Sequence, residues 1–309
     1  MELLSLVVPC YNEEAALPLF MEEVQRVMQT LKNVDYEIIF VDDGSKDATL
    51  KLIRGYHRQN KSVRYISFSR NFGKESAILA GLQASRGTWT AVMDADLQDP
   101  PKMLPEMLGY VQSGEYDCVG TCRVTRQGEP PIRSFFARCF YKLINRISDT
   151  KLVDGARDYK LLSRKAVDAL LAMPEVNRFS KGLYEWVGFR TKWISFENVE
   201  RVAGETKWSF WKLFRYSMEG IVSFSTAPLL ISTFLGILFM FVSLVGIATL
   251  AVRQLVYNNS VAGWTSMTCI ILLIGGVQLL CLGVMGQYMS KMYMEIKRRP
   301  HYIVADQSE

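Results

Sequence analysis

Histidine is nearly absent from this chain: it has two, His57 and His301. So few imidazoles argue against a His-ligated metal centre and against a Ser-His-Asp triad. The six cysteines are Cys10, Cys118, Cys122, Cys139, Cys269 and Cys281, and no two form a C-x-x-C pair. That spacing suggests neither a zinc site nor a thioredoxin-like site, and it leaves reduced, structural thiols as the expectation. No G-x-G occurs, which excludes the dinucleotide fingerprint, and no G-x-x-x-x-G-K-[ST] occurs, which excludes a P-loop. With 36 basic and 31 acidic residues the net charge is +5, too small to predict nucleic-acid binding. The first apolar stretch, 3–8, is short, lacks a basic leader and stops at Pro9. It is not read as a signal peptide, and the polar part of the chain is expected in the cytosol.

The absence with the largest consequence is of charge. No Asp, Glu, Lys or Arg lies between Glu219 and Arg253, or between Arg253 and Lys291. An uncharged apolar run of eighteen or more residues reads as a membrane span, so a wholly soluble domain is not expected. Two spans are predicted, at 227–252 and 264–289. Lys207, Lys212 and Arg215 flank them on one side, and Lys291, Lys297, Arg298 and Arg299 on the other. The positive-inside rule then puts both termini in the cytoplasm and the connector outside. Gly275, Gly276, Gly283 and Gly286 would let the second span pack closely against a neighbour. Residues 208–221 read as an interfacial helix, with Phe210, Trp211, Phe214, Met218 and Ile221 opposite Lys212, Arg215 and Glu219. A core-packing helix is the other reading of that segment.

What precedes the spans alternates strand and helix signals. Strands are expected at 3–8, 36–41, 63–68 and 89–93, and helices at 15–31, 47–57 and 74–84. Further strands are expected near 119–121 and 158–162, with a loop at 127–131. Repeated βα units argue for a mostly parallel sheet covered by helices on both faces. Ligands in such sheets sit at the carboxyl ends of the strands. Three strand ends here carry Pro9-Cys10-Tyr11-Asn12-Glu13, Asp42-Asp43-Gly44-Ser45 and Asp94-Ala95-Asp96. Two carboxylates two residues apart at the end of a buried strand point the same way. They suit a hard divalent cation bridging to a diphosphate, and they also suit a solvated turn. Gln98 adds an oxygen two residues on, and Pro100 and Pro101 stiffen the loop. Asp42-Asp43-Gly44-Ser45 reads as a turn with Ser45 capping the next helix, as acceptors for a base N–H or ribose hydroxyls, or as both.

Val7-Val8-Pro9-Cys10-Tyr11-Asn12-Glu13-Glu14, Asp42-Asp43-Gly44-Ser45-Lys46-Asp47 and Asp94-Ala95-Asp96-Leu97-Gln98-Asp99-Pro100 together resemble the family 2 glycosyltransferases of GT-A fold. Arg70-Asn71-Phe72-Gly73-Lys74-Glu75, the segment 201–208 and the two apolar spans narrow the resemblance to the polyprenyl-phosphate glycosyltransferases. That group includes the dolichol-phosphate mannose synthases, and the chain is most similar to its bacterial bactoprenol glucosyltransferases. The resemblance implies a GT-A catalytic domain over 1–206, a juxtamembrane amphipathic helix over 207–224, a two-helix membrane domain over 225–290 and a cytosolic tail over 291–309. It implies that Pro9, Tyr11, Glu13 and Asp42 hold the nucleotide and that Asp94 supports the donor. Asp96 and Gln98 would bind Mg2+ or Mn2+. Arg123 would lie near the donor diphosphate, Arg201 and Lys207 would grip phosphate groups, and Asp158 would be the acidic residue nearest the sugar. Arg201 and Lys207 also fit simple headgroup attraction, at about 1 kcal/mol each.

The activity implied is inverting transfer of a hexose, glucose from UDP-glucose, to undecaprenyl phosphate at the bacterial inner membrane, for O-antigen or cell-surface glycan modification. GDP-mannose, UDP-galactose and UDP-N-acetylglucosamine are alternative donors. A tetramer, a flippase and a downstream glycosyltransferase are implied partners, by analogy alone. A processive polysaccharide synthase is disfavoured, since the chain has no Arg-Trp dipeptide and two spans. A non-catalytic membrane anchor or sensor is the reading from another class, and the intact Asp94, Asp96 and Gln98 set speaks against it. A lipid phosphate is largely dianionic near neutral pH, its second pKa being about 6. Asp158 is therefore expected to position the sugar or stabilise oxocarbenium-like charge rather than to remove a proton.

Overall fold

The computed structural model describes residues 2–31, 33–123, 141–142, 144–148, 150–151, 153–196, 221–222, 225–257 and 263–308. The chain begins with the expected βα alternation: β1 (Glu2–Cys10), α1 (Leu17–Met28), β2 (Val34–Asp42), α2 (Thr49–Gln59), β3 (Val63–Phe68), α3 (Lys74–Ala84) and β4 (Trp89–Val92). A 3-10 turn at Pro101–Met103 leads into α4 (Leu104–Gln112) and β5 (Cys118–Arg123). Then follow β6 (Ala156–Ser163), α5 (Arg164–Leu171), α6 (Ser180–Trp186), β7 (Thr191–Phe196) and, further along the chain, β8 (Val304–Gln307). The strands form one eight-stranded sheet in the order β7-β5-β6-β4-β1-β2-β3-β8. Pairings around β1 and β2 and between β5 and β7 are parallel, whereas β6 and β8 run antiparallel to their neighbours.

Alternation along β1 explains the layers. Leu4, Leu6 and Val8 point to one face, where Leu17, Phe20 and Val24 of α1 and Leu104, Met107 and Leu108 of α4 complete a core. Val7 points to the other face, against Ile78 and Leu82 of α3, Val167 of α5 and Leu183 of α6. A sheet covered on both sides leaves only its strand ends open, and the ends of β1, β2 and β4 open on the same side.

Two long helices follow: α7 (Ala227–Tyr257) of 31 residues and α8 (Trp264–Ile296) of 33 residues. The stretches Ala227–Gly246 and Leu273–Ile296 are long and apolar enough to cross a membrane. The expected spans at 227–252 and 264–289 fall within these two helices. Leu230, Phe234, Phe241, Leu279 and Leu282 are exposed along them, a density of bare apolar side chains that water does not favour.

The expected tail at 291–309 is instead part of the fold. Helix α8 runs to Ile296, and Val304–Gln307 (β8) pairs antiparallel with β3 at the sheet edge. Arg54 binds the Asp306 carboxylate at 2.9 and 2.5 Å, and the Tyr65 hydroxyl donates to it at 3.1 Å. The Tyr302 ring stacks on Phe68 at 4.7 Å. Above this, the Glu295 carboxylate accepts N–H bonds from Val176 and Asn177 at 2.9 to 3.1 Å. At the foot of α7, the Ser225 hydroxyl donates to the Ile147 carbonyl at 2.6 Å, and the Ser225 carbonyl accepts from the Tyr288 hydroxyl of α8 at 2.5 Å. The near ends of both apolar helices are thus fastened to the sheet domain.

The boundary expected near 206, the 127–131 loop and almost all of the 207–224 helix lie outside the described residues.

Candidate active site

The loops after β1 and β2 are stitched together by local polar chemistry. Asn12, at φ 55, donates its backbone N–H to Ser45 Oγ at 3.0 Å, and its side-chain oxygen accepts from Lys46 N–H at 2.9 Å. Glu13 N–H donates to Thr49 Oγ1 at 2.8 Å. Ser45 therefore serves the β1 loop and does not cap the next helix, as one reading of the turn had it. Helix α2 starts at Thr49, whose N–H goes to Asp47 Oδ1 at 3.0 Å. Pro9, Tyr11 and Glu13 line this rim, with Tyr11 exposed.

Asp42 and Asp43 are both buried. Asp42 accepts from Ser45 N–H at 3.0 Å and from the Ser67 hydroxyl at 2.8 Å. Asp43 accepts from the backbone N–H groups of Phe72 and Gly73 at 2.6 and 2.9 Å. Burial raises the Asp43 carboxyl above its ordinary value, against those two hydrogen bonds. Gly44 makes the turn possible: its φ is +69°, and a Cβ there would lie 2.5 Å from the Arg70 carbonyl carbon. Gly73, at φ +98°, turns the chain into α3, and the first residue of that helix is Lys74.

Lys74 joins the two carboxylates of greatest interest. Its ammonium lies 2.7 Å from one oxygen of Asp94 and 2.9 Å from the other, and it donates a short hydrogen bond to Asp158. Strand register explains the meeting. Val92 of β4 stands opposite Lys160 of β6, and two residues further along these antiparallel strands Asp94 and Asp158 come level. Lys181 of α6 reaches the other Asp158 oxygen at 3.7 Å and donates to the Ala156 carbonyl at 3.2 Å. Glu75 fastens α3 to α6 by accepting from the Ser180 backbone N–H at 3.0 Å.

Burial alone would raise Asp158, but Lys181, Lys74 and Arg157 overcome it and hold the carboxyl well below the usual carboxylate range. Burial likewise opposes the Lys74 charge, and Asp158 and Asp94 hold its ammonium well above the usual lysine value. Asp158 is accordingly a carboxylate at any physiological pH, and Lys74 a cation.

The loop after β4 has its own anchor. Leu97 sits at φ 57, a left-handed conformation uncommon for its residue type. Gln98 N–H donates to Asp96 Oδ1 at 3.1 Å. Arg157 donates from Nε to Asp99 Oδ1 at 2.8 Å and from a terminal nitrogen to Gln98 Oε1 at 3.3 Å. The Gln98 side-chain oxygen, expected on a metal, thus faces a guanidinium. Asp99 is fully buried, and burial pushes its carboxyl up to about 6 against the pull of Arg157.

Asp94 and Asp96 offer hard carboxylate oxygens. Mg2+ or Mn2+ commonly takes one or two carboxylates and fills its other positions with water and phosphate oxygens. Among the described residues no three carboxylates, imidazoles or thiols converge as a closed metal site. The donor set fits an ion that is shared with a phosphorylated ligand.

The sheet therefore gathers Pro9, Tyr11, Glu13, Asp42, Asp94, Asp96 and Asp158 at one end, with Asp42 turned to structural partners. Arg123 closes β5 opposite Phe196 of β7. Arg201 and Lys207 lie outside the described residues. Lys74, Lys181 and the Arg157–Asp99 pair stand outside the expected set. For Lys74 a usable signal was present: it follows a glycine at the head of a helix whose loop precedes an acidic strand end.

The chain matches the family model described as Glycosyl transferase family 2 over residues 5–171. It is 41% identical over 303 residues to an uncharacterized glycosyltransferase of Synechocystis, covering 98% of this chain and 95% of that one. It is 40% identical to the bactoprenol glucosyl transferase of Shigella phage SfV, covering 99% of each, and 40% identical to the prophage bactoprenol glucosyl transferase homolog of Escherichia coli K12, covering 97% and 98%. Among solved structures, mannosyl-3-phosphoglycerate synthase from Rubrobacter xylanophilus superposes with a TM-score of 0.50 at 18% identity, covering 71% of this chain and 72% of that one. That likeness concerns the fold alone. A GT-A sheet with its acidic strand ends gathered in one cleft, a family match over more than half the chain and full-length relatives at about 40% identity lead to one assignment: the chain belongs to the family 2 glycosyltransferases.

Proposed function

We propose that this glycosyltransferase moves glucose from UDP-glucose to undecaprenyl phosphate, with inversion at the anomeric carbon, giving a lipid-linked sugar phosphate for cell-surface glycan modification. The observation that carries this reading is the fastening of two bare apolar helices to the sheet that holds the acidic cleft. An acceptor that is a membrane lipid gives such a pair a reason to be there. Relatives named for bactoprenol glucosyl transfer over nearly the whole chain support it. Since the near ends of both helices meet the sheet domain, a pair that crosses a membrane leaves that domain and β8 on one face. Lys291, Lys297, Arg298 and Arg299 beside the second span favour the cytoplasmic face of a bacterial inner membrane.

In the reaction a phosphate oxygen of the acceptor attacks the sugar C1. The bond from C1 to the donor diphosphate breaks, and UDP leaves with that electron pair. The acceptor dianion has no proton to lose, so Asp158 need not act as a base. Held ionised beside Lys74 and Lys181, it is placed to orient the sugar and to face the positive charge that develops at C1. Asp94 and Asp96 would hold Mg2+ or Mn2+, which when bound neutralises charge on the departing diphosphate. Around this cleft Asp94, Asp96, Asp99, Asp158 and Glu75 outnumber Lys74, Lys181 and Arg157 among the described residues. Two phosphorylated substrates entering there need added positive charge, which supports the metal and roles for Arg123, Arg201 and Lys207.

Membranes containing the protein are to be incubated with undecaprenyl phosphate and labelled UDP-glucose, UDP-galactose, UDP-N-acetylglucosamine or GDP-mannose. Lipid-linked label from UDP-glucose alone is the expected result, and label from another donor reassigns the sugar. Asp96→Ala should lower metal-dependent transfer by about 100-fold or more. Undiminished transfer by that variant removes the metal role.

A further inference from the structure

Three cations of the described cleft contact its carboxylates, and they are not equally available. Arg157 is 18% exposed and committed to the fully buried Asp99. Lys181 is 27% exposed and divides its ammonium between Asp158 and the Ala156 carbonyl. Lys74 is 41% exposed, and its protein partners are the two carboxylates of the reaction cleft. An ammonium has three protons to donate. Both Asp94 oxygens, at 2.7 and 2.9 Å, and one Asp158 oxygen already face it, so an oxygen arriving from solvent displaces one arm of the two-oxygen Asp94 contact.

The backbone beneath Lys74 is rigid while its side chain is long. Asp43 fixes the two residues before it through the Phe72 and Gly73 N–H groups. Glu75 ties the residue after it to Ser180. The four-carbon stem of lysine can then carry a point charge over a few ångströms without moving the helix.

We propose that Lys74 receives the acceptor phosphate: a phosphate dianion entering the cleft exchanges with one Asp94 oxygen for a first donor of its ammonium and with Asp158 for a second. This rests on the lipid-phosphate reading above. The same contact that brings the nucleophile in would loosen the hold of Lys74 on Asp158, freeing that carboxylate to turn toward the sugar. Binding of the acceptor and arming of the cleft become one event. Asp94, on the donor side, shares the same ammonium, so the two substrates meet through a single side chain.

The test uses the purified full chain in lipid nanodiscs, comparing wild type with Lys74→Met and Lys74→Arg. A short-chain prenyl phosphate and UDP-glucose are varied separately, and prenyl phosphate binding is measured by calorimetry. Loss of one charge-assisted hydrogen bond to phosphate predicts that Lys74→Met raises the acceptor KM by about 10- to 100-fold. The donor KM should stay within about threefold, and Lys74→Arg should recover most of the loss. If instead Lys74→Met lowers kcat or raises the donor KM while the acceptor KM holds, the assignment of Lys74 is overturned. If wild type binds prenyl phosphate but transfers no sugar to it, the functional reading fails, and the binding ratio of wild type to Lys74→Met still decides Lys74. Wild type that binds no prenyl phosphate overturns both.

Discussion

Replacing Arg157 by methionine has a consequence that can be worked from the buried pair it breaks. Asp99 is fully buried, one oxygen takes the Arg157 Nε–H at 2.8 Å, and the other has no hydrogen-bond partner among the described residues. Its ordinary pKa is 3.8, and burial carries it to about 6 in the fold. An acid whose pKa rises on folding binds its proton more tightly in the folded state. Stability therefore falls as pH climbs from 3.8 to about 6 and then levels. The fall across that window is about 3 kcal/mol. Without Arg157 the folded carboxyl keeps its proton to higher pH, and the decline continues. The extra loss is close to nothing at pH 6, about 1 kcal/mol at pH 7 and at most about 3 kcal/mol at pH 8. Each kcal/mol moves Tm by roughly 2–4 °C for a domain of this size. The assay is the Tm of full-length wild type and Arg157→Met in one detergent at the three pH values. The gap should widen with pH, and it should stay constant when both proteins also carry Asp99→Asn. A gap of equal size at all three pH values refutes the linkage.

Other substitutions probe the frame. Gly44→Val puts a branched side chain at φ +69° with its Cβ 2.5 Å from the Arg70 carbonyl carbon. It should lower Tm and, by displacing the turn that begins at Asp42, raise the donor KM, both readable in one preparation. Glu295→Ala removes the acceptor of the Val176 and Asn177 N–H groups, a loss of about 1–3 kcal/mol. Hydrogen exchange at those two amides should quicken, and unchanged exchange would mean that α8 is fastened elsewhere.

The βα half of the sheet was legible because its strands are short apolar or β-rich runs, three of them ending near Pro9, Asp42 and Asp94, and helix α1 shows its buried stripe directly. The acidic strand ends were legible for the same reason: strand order decides which ends share a cleft. Strand β8 was not. Val304–Gln307 is four residues long and half polar, and what makes it a strand is the open edge of β3. Lys74, Lys181 and the Arg157–Asp99 pair were hidden because each joins elements far apart in sequence. The Gln98 oxygen, assigned to a metal from its spacing, is reached first by a guanidinium whose position depends on β6. Side-chain partners across strands follow from register, and register follows from packing.

The edge strand also sets an order of events. During synthesis β3 is made early, and β8 emerges only after both apolar helices have left the ribosome. Until then β3 presents an unpaired edge of the kind that recruits foreign strands. Pairing β3 with β8 closes a loop of more than two hundred residues, so a chain whose helices have failed to settle would leave the catalytic sheet unfinished. The sheet thus reaches its full eight strands only after both apolar helices have been made.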